Sequence, residues 1–441
     1  MITPITITLI FLVLSVHGED EVCTAGENFD ICKRSDTVTR VTRNNMRSIS
    51  TVLPLETAGD VTIGPKAFSK LNITALLINL RTDGLYNKSP SNCLSLQPDS
   101  FAELDNLASL SIRNANINYT GNPLAPLDSL ASLSLLSCGI SDVPVDMLTT
   151  LPNLLELILR DNHLRVVRPN AFLSVKNLKY LDLSRNGITS LEPGCFSGLA
   201  TLEILDLSLN FVTAGPAVLS GLSGLKKLDL MNAFDTSGFQ PVILQDVPAV
   251  THLRLDSNKI TSLQTTAFDN VPLLSGLSLG GNFLRIIPKG LFGQLKSLEE
   301  LDLKENTIEM IEPGAFSGLN LTTLDLSHND IQKIGTGTFT GLVVNKLILQ
   351  KNQIEELGPQ AFDGLTAEEM DLSQNSLEKI DAEDFSGLKI GTLDLSSNRM
   401  EDIAPGAFNN TEVRKLRLNI NPIGTEGRTT WGLSDSVEVQ V

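Results

Sequence analysis

The chain has 441 residues, of which 41% are hydrophobic and only 5% aromatic, so its interior relies on leucine rather than on large rings. Its 51 acidic residues against 34 Lys and Arg give a net charge of −17, and the basic residues form no block. This balance excludes nucleic acid as an expected partner, because phosphate binding needs a basic surface. Acidic residues that are interspersed in this way are typical of a solvated surface.

The first residues predict a signal peptide over 1–18. An apolar run extends from Ile5 to Val16 and acidic residues begin at Glu19, although no Lys or Arg lies near the N-terminus. Beyond this point no apolar run is long enough to span a bilayer, and the polar tail from Arg428 lacks the hydrophobic end of a GPI signal. We therefore expect a secreted, extracellular protein without a transmembrane anchor.

Five cysteines are compatible with an oxidising compartment. Cys23 and Cys32 lie nine residues apart just after the signal peptide, and we predict a disulfide between them. Cys138 and Cys195 fall at inward positions of the repeat described below, which predicts buried thiols. Cys93 is the candidate for an exposed or intermolecular thiol, because the polar stretch 81–98 around it predicts a protruding loop.

A single pattern then recurs every 23 or 24 residues, about 15 times. Copies such as LLELILRDNHL from Leu154 and LTTLDLSHNDI from Leu321 follow the template LxxLxLxxNxL. Residues alternate within each copy, so that Leu157 and Leu159 point inward and Ile158 points outward, which predicts one strand of a parallel sheet per copy. A coiled coil would not carry the internal asparagine.

The asparagine of each copy is expected to turn inward, where its amide pairs with main-chain groups of the turn that leaves the sheet. Ala115, Cys138 and Ala233 stand in its place in three copies, which predicts local irregularity. The second half of most copies carries a Phe, such as Phe172 and Phe196, and these residues predict a second buried spine. Because strands pack about 4.8 Å apart and Phe needs more room, the stack should curve with its sheet on the concave side.

The template and its Phe-bearing second half resemble the extracellular leucine-rich repeats of Toll-type receptor ectodomains, chaoptin and small leucine-rich proteoglycans. Without a transmembrane segment, the chain is more similar to secreted proteins of the insect leureptin type. The expected fold is an α/β solenoid, a leucine-rich repeat horseshoe with a curved parallel β-sheet on its concave face. The expected domains are a signal peptide at 1–18, an N-terminal cap at 19–50, repeats at 51–425 and a C-terminal cap at 426–441.

No motif for catalysis is present. The three histidines that remain after signal cleavage, His163, His252 and His328, lie several repeats apart, and neither GxSxG, HExxH nor a Walker loop occurs. The expectation is a non-enzymatic protein with no cofactor and no metal site.

The concave sheet is the predicted binding face. The outward residue between the two inward leucines is often aspartate, and neighbouring carboxylates would repel each other and favour a cationic partner or a bridging divalent ion. The alternative is that LDLS is an ordinary, well-solvated filling of the template. This acidic column consists of Asp182, Asp206, Asp229, Asp302, Asp325, Asp371 and Asp394.

A less acidic break in this column is the candidate ligand site, because its glycines would let a ligand approach the backbone and apolar residues precede it. Its residues are Tyr180, Ile204, Leu209, Met231, His252, Arg254, Ser278, Gly280 and Gly281. Occupied N-glycosylation sequons would mark faces excluded from binding. They occur at Asn72, Asn87, Asn118, Asn320 and Asn409.

Two functions stay open. The first is pattern recognition in innate immunity, with lipopolysaccharide, another microbial glycolipid or a partner receptor held on the concave face. The acidic charge argues against direct contact with an anionic glycolipid unless acyl chains or divalent cations mediate it. The second is a protein–protein adhesion or enzyme-inhibitor module.

Overall fold

The computed structural model describes residues 22–25, 29–43, 52–81, 92–382, 384–385, 387–423 and 430–441. The predicted signal peptide, parts of both predicted caps and the sequon at Asn87 lie outside these residues. The chain separates into two compact units. Unit 1 is Met1–Thr213 with Ala217–Leu225, and unit 2 is Ala214–Pro216 with Lys226–Val441.

Unit 1 consists of short strands and one single-turn helix. The strands are β1 (Val22–Ala25), β2 (Phe29–Arg34), β3 (Thr37–Arg43), β4 (Val52–Ala58), β5 (Val61–Ile63), β6 (Ala75–Arg81), β7 (Cys93–Leu96), β8 (Ser109–Arg113), β9 (Asn116–Tyr119), β10 (Ser132–Leu136), β11 (Glu156–Ile158), β12 (Val166–Val167), β13 (Tyr180–Asp182), β14 (Ser190–Leu191) and β15 (Ile204–Asp206). The helix α1 (Val145–Leu148) lies between β10 and β11.

The described residues of unit 1 form three sheets: an inner sheet, a second sheet and the two-stranded parallel pair of β12 with β14. Strands β4, β6, β8, β10, β11, β13 and β15 form its inner sheet, in which every pair is parallel and each chain turn adds one strand. Strands β1, β2, β3, β5, β7 and β9 form a second sheet, antiparallel from β1 to β3 and parallel from there on. The loop predicted over 81–98 is wrong at its ends, because Arg81 ends β6 and β7 covers Cys93–Leu96. Residues 82–91 of that stretch lie outside the described residues.

Unit 2 continues the pattern with β16 (Lys227–Asp229), β17 (His252–Arg254), β18 (Gly276–Ser278), β19 (Ile286–Ile287), β20 (Glu300–Asp302), β21 (Met310–Ile311), β22 (Asn320–Asp325), β23 (Lys333–Ile334), β24 (Val343–Ile348), β25 (Glu356–Leu357), β26 (Thr366–Asp371), β27 (Lys379–Ile380), β28 (Lys389–Asp394), β29 (Asp402–Ile403), β30 (Glu412–Arg417) and β31 (Glu438–Gln440). Its inner sheet is the parallel set β16, β17, β18, β20, β22, β24, β26, β28, β30 and β31. A 3₁₀ helix spans Pro241–Asp246.

The predicted Phe spine is present. The repeat predicts six of its rings, at Phe172, Phe196, Phe268, Phe316, Phe362 and Phe408, and the structure adds Phe68, Phe101, Phe292, Phe339 and Phe385. All eleven are fully buried. In copies without Phe the same position holds a buried leucine, as at Leu219 and Leu244. In unit 2, consecutive rings from Phe268 to Phe408 are 5.5 to 6.4 Å apart between centroids.

This ring spacing determines the curvature of unit 2. Parallel strands repeat at about 4.8 Å, which is less than the ring spacing, so the Phe side of the unit is longer than its sheet side. The inner sheet therefore lies on the concave side. The predicted leucine-rich repeat solenoid with a parallel sheet is confirmed, although its helical content is small and α1 is a single turn.

The inward asparagine is also confirmed. Asn186 Nδ2 donates to the carbonyl of Leu159 in the preceding turn at 3.0 Å and to Leu183 in its own turn at 2.9 Å. Its Oδ1 accepts from the N–H of Leu164 in the preceding turn at 3.1 Å. The donation to the preceding turn recurs at Asn162, Asn210, Asn258, Asn282, Asn306, Asn329, Asn352, Asn375, Asn398 and Asn421.

The irregularity predicted at Ala233 is present. Asp229 and Arg254 pair across neighbouring strands and lie 25 positions apart in the chain, whereas the usual step is 23 or 24. The extra length follows Ala233, where Phe234 and Phe239 pack against each other at 55° rather than in the stacked spine. The turn then closes through the 3₁₀ helix instead of a Phe-bearing turn.

The cysteines behave largely as predicted. Cys23 and Cys32 face each other in the pairing of β1 with β2 and form the predicted disulfide. Cys138 and Cys195 are buried free thiols, and burial raises the pKa of both to about 12. They are therefore protonated at neutral pH and are poor nucleophiles. Cys93 is a half-buried thiol in β7.

Replacing a ladder asparagine should be costly. We expect Asn186→Ala to destabilise the protein by about 2 kcal/mol, since it leaves the buried N–H of Leu164 without its acceptor and removes several other bonds. Chemical denaturation measures this difference. The matched control is Asn177→Ala, whose exposed amide makes one bond to Pro152 and whose loss should cost less than about 0.5 kcal/mol. Equal losses for the two variants would contradict the role of the ladder.

Asp384 should make stability depend on pH. It is buried at the turn position that Ala361 and Ala407 occupy in neighbouring copies, and burial raises its pKa to about 6, against the opposing effect of the N–H bond from Asp381. The pKa of Asp384 is higher in the folded chain than in the unfolded chain. Its contribution to the free energy of unfolding is therefore fully present below about pH 4 and is lost as the pH rises through 6.

The side chain that Asp384→Asn introduces is uncharged, but its amide oxygen can still accept the hydrogen bond from the main-chain N–H of Asp381. We expect this variant to be more stable than the parent chain at pH 7.5 by about 1 kcal/mol, after allowance for solvent screening, and to lose this advantage at pH 4. Thermal unfolding of both chains across this range measures the difference. The exposed Asp363→Asn serves as control, and an advantage for Asp384→Asn that is independent of pH would disprove the assignment.

Candidate functional site

The predicted acidic column exists within each unit as a row of paired residues. In unit 1, Ile158 pairs with Asp182 and Asp182 pairs with Asp206 across neighbouring strands. In unit 2 the row is continuous from strand to strand. It runs through Asp229, Arg254, Ser278, Asp302, Asp325, Ile348, Asp371, Asp394 and Arg417.

One oxygen of each aspartate in this column has a structural role. Oδ1 accepts the main-chain N–H of the residue two positions later, at distances of 2.8 to 3.0 Å. This bond caps the strand where the chain turns away from the sheet, in the manner of an Asx turn. The expectation that the carboxylates share a partner ion is not supported by this geometry, because half of each carboxylate is already committed.

Asp182 is the most enclosed member of the column. It is only 4% exposed, and Ser184 donates to its Oδ1 through both main chain and side chain. Burial raises its pKa, and the hydrogen bonds from Ser184 oppose that rise.

In unit 2 the second oxygen is often neutralised as well. Arg254 bridges Asp229 and Asp256 at 3.2 Å each. Lys304 pairs with Asp302 at 3.1 Å, and Arg417 with Asp394 at 3.2 Å. In the part of the chain that the structure describes, no ion pair is made by Asp206, Asp325 or Asp371. Ion pairs therefore neutralise three of the seven column aspartates, Asp229, Asp302 and Asp394.

The predicted glycine break does not expose backbone. Gly276 and Gly280 are buried, and a Cβ at Gly280 would lie 3.0 Å from Asp256 Oδ1 and 3.5 Å from the side chain of Lys304. The ring of His252 covers Gly276, with its Cδ2 3.1 Å from the position of a Cβ there. The expectation of close ligand approach to Gly280 is therefore wrong, because side chains of neighbouring turns fill the space.

Gly281 and Leu209 have a backbone role instead. Both have a positive φ, 62° and 57°, at the position before the ladder asparagine, where Asp161, Arg185 and Glu305 do the same in their copies. This left-handed residue lets the asparagine turn inward. Ser278 donates to Asp256 at 2.7 Å, and Met231 is half-buried in unit 2, where its N–H is capped by Asp229.

The strongest recognition feature that remains lies in unit 1. Tyr180 and Ile204 are directly paired on adjacent strands, and both are half-buried on the inner sheet. Burial, followed by the charges of Asp182, Asp206 and Glu156, raises the pKa of Tyr180 to about 12. The phenol therefore stays a neutral donor. We call Tyr180, Ile204 and Asp206 the inner-face patch: an apolar pair next to a carboxylate with no ion pair among the described residues.

The described sequons are exposed. Asn72 and Asn118 lie in unit 1, the latter on β9 of the second sheet, and Asn409 lies in a turn next to Phe408. Asn320 begins β22 and pairs with Val343, so it sits at the entry of an inner strand, five residues before the column residue Asp325. None of the four occupies the column itself.

Within the described ranges of the chain, no three His, Cys, Asp or Glu side chains are grouped so that they could hold a metal ion. No helix in these ranges is long and apolar enough to cross a membrane.

The sequence matches two family models. One, described as Leucine rich repeat, matches residues 128–188, 176–233, 248–308 and 272–331. The other, described as BspA type Leucine rich repeat region, matches residues 309–426. Together they cover more than half of the chain, which belongs to the leucine-rich repeat family. Proteins of this fold are generally binding scaffolds rather than enzymes.

Solved structures share the fold. A chain of the glycosylated Toll–Spatzle complex of Drosophila matches with a TM-score of 0.64 and 17% identity, over 93% of this chain and 69% of that one. A second form of the complex gives 0.56 and 19%, over 93% and 68%. A leucine-rich repeat protein of Leptospira interrogans gives 0.52 and 23%, over 88% and 90%. The predicted resemblance to Toll-type ectodomains is confirmed for the fold. No curated protein matches the sequence.

The capping role of the column can be separated from its charge. We expect Asp371→Ala to cost about 1 kcal/mol, because the N–H of Ser373 loses an acceptor at 2.8 Å. Asp371→Asn keeps that acceptor and should cost much less. Denaturant titration of both variants measures the two values, and equal losses would show that charge rather than capping is what the column supplies.

Proposed function

We propose that this protein is a secreted extracellular binding protein that holds a basic protein ligand on the inner sheet of unit 1. The observation that carries the proposal is the inner-face patch, where Tyr180 and Ile204 form an apolar contact area beside the carboxylate of Asp206. A large ring with a polar tip next to a charge is the composition of an interface hot spot. The parallel sheet holds these side chains rigidly, so little entropy is lost on binding.

Charge supports a protein rather than a lipopolysaccharide ligand. The chain has a net charge of −17, and the charges that act on Tyr180 are those of Asp182, Asp206 and Glu156, opposed by the smaller effect of Arg160. Phosphates of an anionic glycolipid would be repelled there, whereas Lys and Arg of a protein surface would be attracted and steered to it.

Extracellular recognition in immunity is the biological setting that we propose for this activity. The Toll chain of Drosophila, which has the same fold, is found in a complex with Spatzle, so a scaffold of this kind accommodates a protein partner. The disulfide between Cys23 and Cys32 suits an oxidising, extracellular setting. Glycans at the exposed sequons would leave the inner-face patch free, because none of the described sequons lies on β13 or β15.

The test is capture of secreted proteins from extracellular fluid of the source organism on immobilised full-length chain, in parallel with binding of purified lipopolysaccharide with and without EDTA. We expect a captured basic protein to bind the Tyr180→Ala/Ile204→Ser variant at least about tenfold more weakly. The matched control is Ile348→Ser, which alters a similar half-buried residue on the inner sheet of unit 2. Equal binding to both variants would contradict the site. If the immobilised chain binds lipopolysaccharide and captures no protein, the ligand is a glycolipid and the proposed protein ligand is wrong.

A further inference from the structure

A cleft of about 340 Å³ opens in unit 1, on the side of the second sheet. One wall is β9, through Ile117 and Tyr119, and the other is the segment 139–147, through Ile140, Val143 and Met147. The thiol-bearing Cys138 lies at its base. The size is within the range of small-ligand pockets, about 300 to 1,000 Å³.

The cleft exists because the asparagine ladder is interrupted. In the next turn, Asn162 Oδ1 accepts from the N–H groups of Cys138 at 2.8 Å and Ile140 at 3.1 Å, and this pulls the two turns together. Cys138 stands where such an asparagine is missing. Its thiol reaches the carbonyls of Ile112 and Leu136 at 3.4 Å and receives the N–H of Ala115, but it makes no bond to Ile117.

A second missing bond widens the gap. In later copies the residue after the ladder position donates its N–H across the turns, as His163 does to Ile140 at 2.8 Å and Gly187 to Leu164 at 3.0 Å. Within the described chain no such bond joins Gly139 to Ile117. Leu164, Ile140 and Ile117 occupy the same position of the repeat, two residues after the ladder position. Leu164 is fully buried, whereas Ile117 and Ile140 are partly exposed. Interior hydrophobic surface is therefore open to solvent here.

The rim of the cleft is acidic. Asp142 and Asp146 are both exposed lining residues. Asp142 is paired with Arg168, whereas Asp146 makes no ion pair in the part of the chain that is described. Tyr119 and Asp146 both line the cleft. Burial, and then the charge of Asp146, raises the pKa of Tyr119, so its phenol stays a neutral hydroxyl. The buried thiol of Cys138 is protonated and adds an apolar base.

We propose that this cleft binds a small amphipathic cation of the alkylammonium class. Its alkyl chain would cover Ile117, Ile140 and Val143, and its ammonium group would lie against Asp146, with the hydroxyl of Tyr119 as a further hydrogen-bond partner. Burying the half-exposed interior surface supplies the driving force, and the unpaired carboxylate selects the sign of the head group. The site is separate from the inner-face patch and does not depend on it.

Three probes of equal chain length test the selectivity: n-octylammonium, n-octanol and n-octanoate. We expect isothermal titration of the full chain to show the strongest binding for octylammonium and the weakest for octanoate. Asp146→Asn should weaken octylammonium about threefold and leave octanol unchanged. Octanoate binding as tightly as octylammonium, or no binding of any probe, would overturn the proposal.

Cys138→Asn tests the origin of the cleft. The introduced amide can donate to Ile112 and Leu136 and accept from both Ala115 and Ile117, as Asn162 does for the following pair of turns. We expect it to close the cleft and to weaken octylammonium binding at least about tenfold, with an unchanged or higher unfolding temperature. Cys195→Ala, at a buried thiol outside the cleft, should leave binding unchanged.

Val145→Trp is a second variant that should close the cleft, and it does so without changing a buried residue. Val145 is 41% exposed and lines the cleft, so an indole there covers the mouth without being buried in the repeat. The same loss of octylammonium binding is expected. Parent-like affinity in Val145→Trp, or in a folded Cys138→Asn variant, would show that the probe binds elsewhere.

Discussion

The structure depends on one interaction, the hydrogen bonds that an inward asparagine makes between two successive turns. A chain that leaves a parallel sheet every 23 or 24 residues must bury polar main-chain groups at each exit, and an unpaired one costs about 1 to 3 kcal/mol. Asn186 satisfies groups in its own turn and in the one before it, so each side chain also sets the distance between neighbours. Stability is thereby shared between adjacent repeats, as expected for a solenoid.

The outward aspartates of the column also pair with main-chain groups where the chain leaves the sheet, but on the other face of the strand. Asp371 and Asp394 each cap an N–H two residues later, so the LDLS filling is explained by the turn rather than by a ligand. Arg254 and Lys304 then neutralise other carboxylates of the row. A repeated acidic residue is therefore weak support for binding. The positions that do support it are those that depart from the repeat without a capping role, such as Tyr180 and Ile204.

Sequence periodicity predicted what depends on local pattern: the strand at Leu157, the inward turn of Asn162 and the burial of Phe172. The sequence also offers the aspartate caps, because an Asp side chain can accept the main-chain N–H two residues later, whereas charge and solvation alone predict no such role for the column. The covering of Gly280 could not be predicted in this way. It depends on how Asp256 and Lys304, 24 residues before and after it in the chain, direct their side chains in three dimensions.

Regular repeats also explain why the departures carry the functional proposals. A turn that keeps its asparagine presents only strand ends and solvated side chains, whereas a turn that loses it must find another way to close. After Ala233 the chain closes by extra length and a 3₁₀ helix, and Ile243 and Leu244 remain buried. At Ala115 and Cys138 no extra length is available, so the gap stays open and interior isoleucines reach solvent. The same defect thus yields a repaired core in one unit and a cleft in the other.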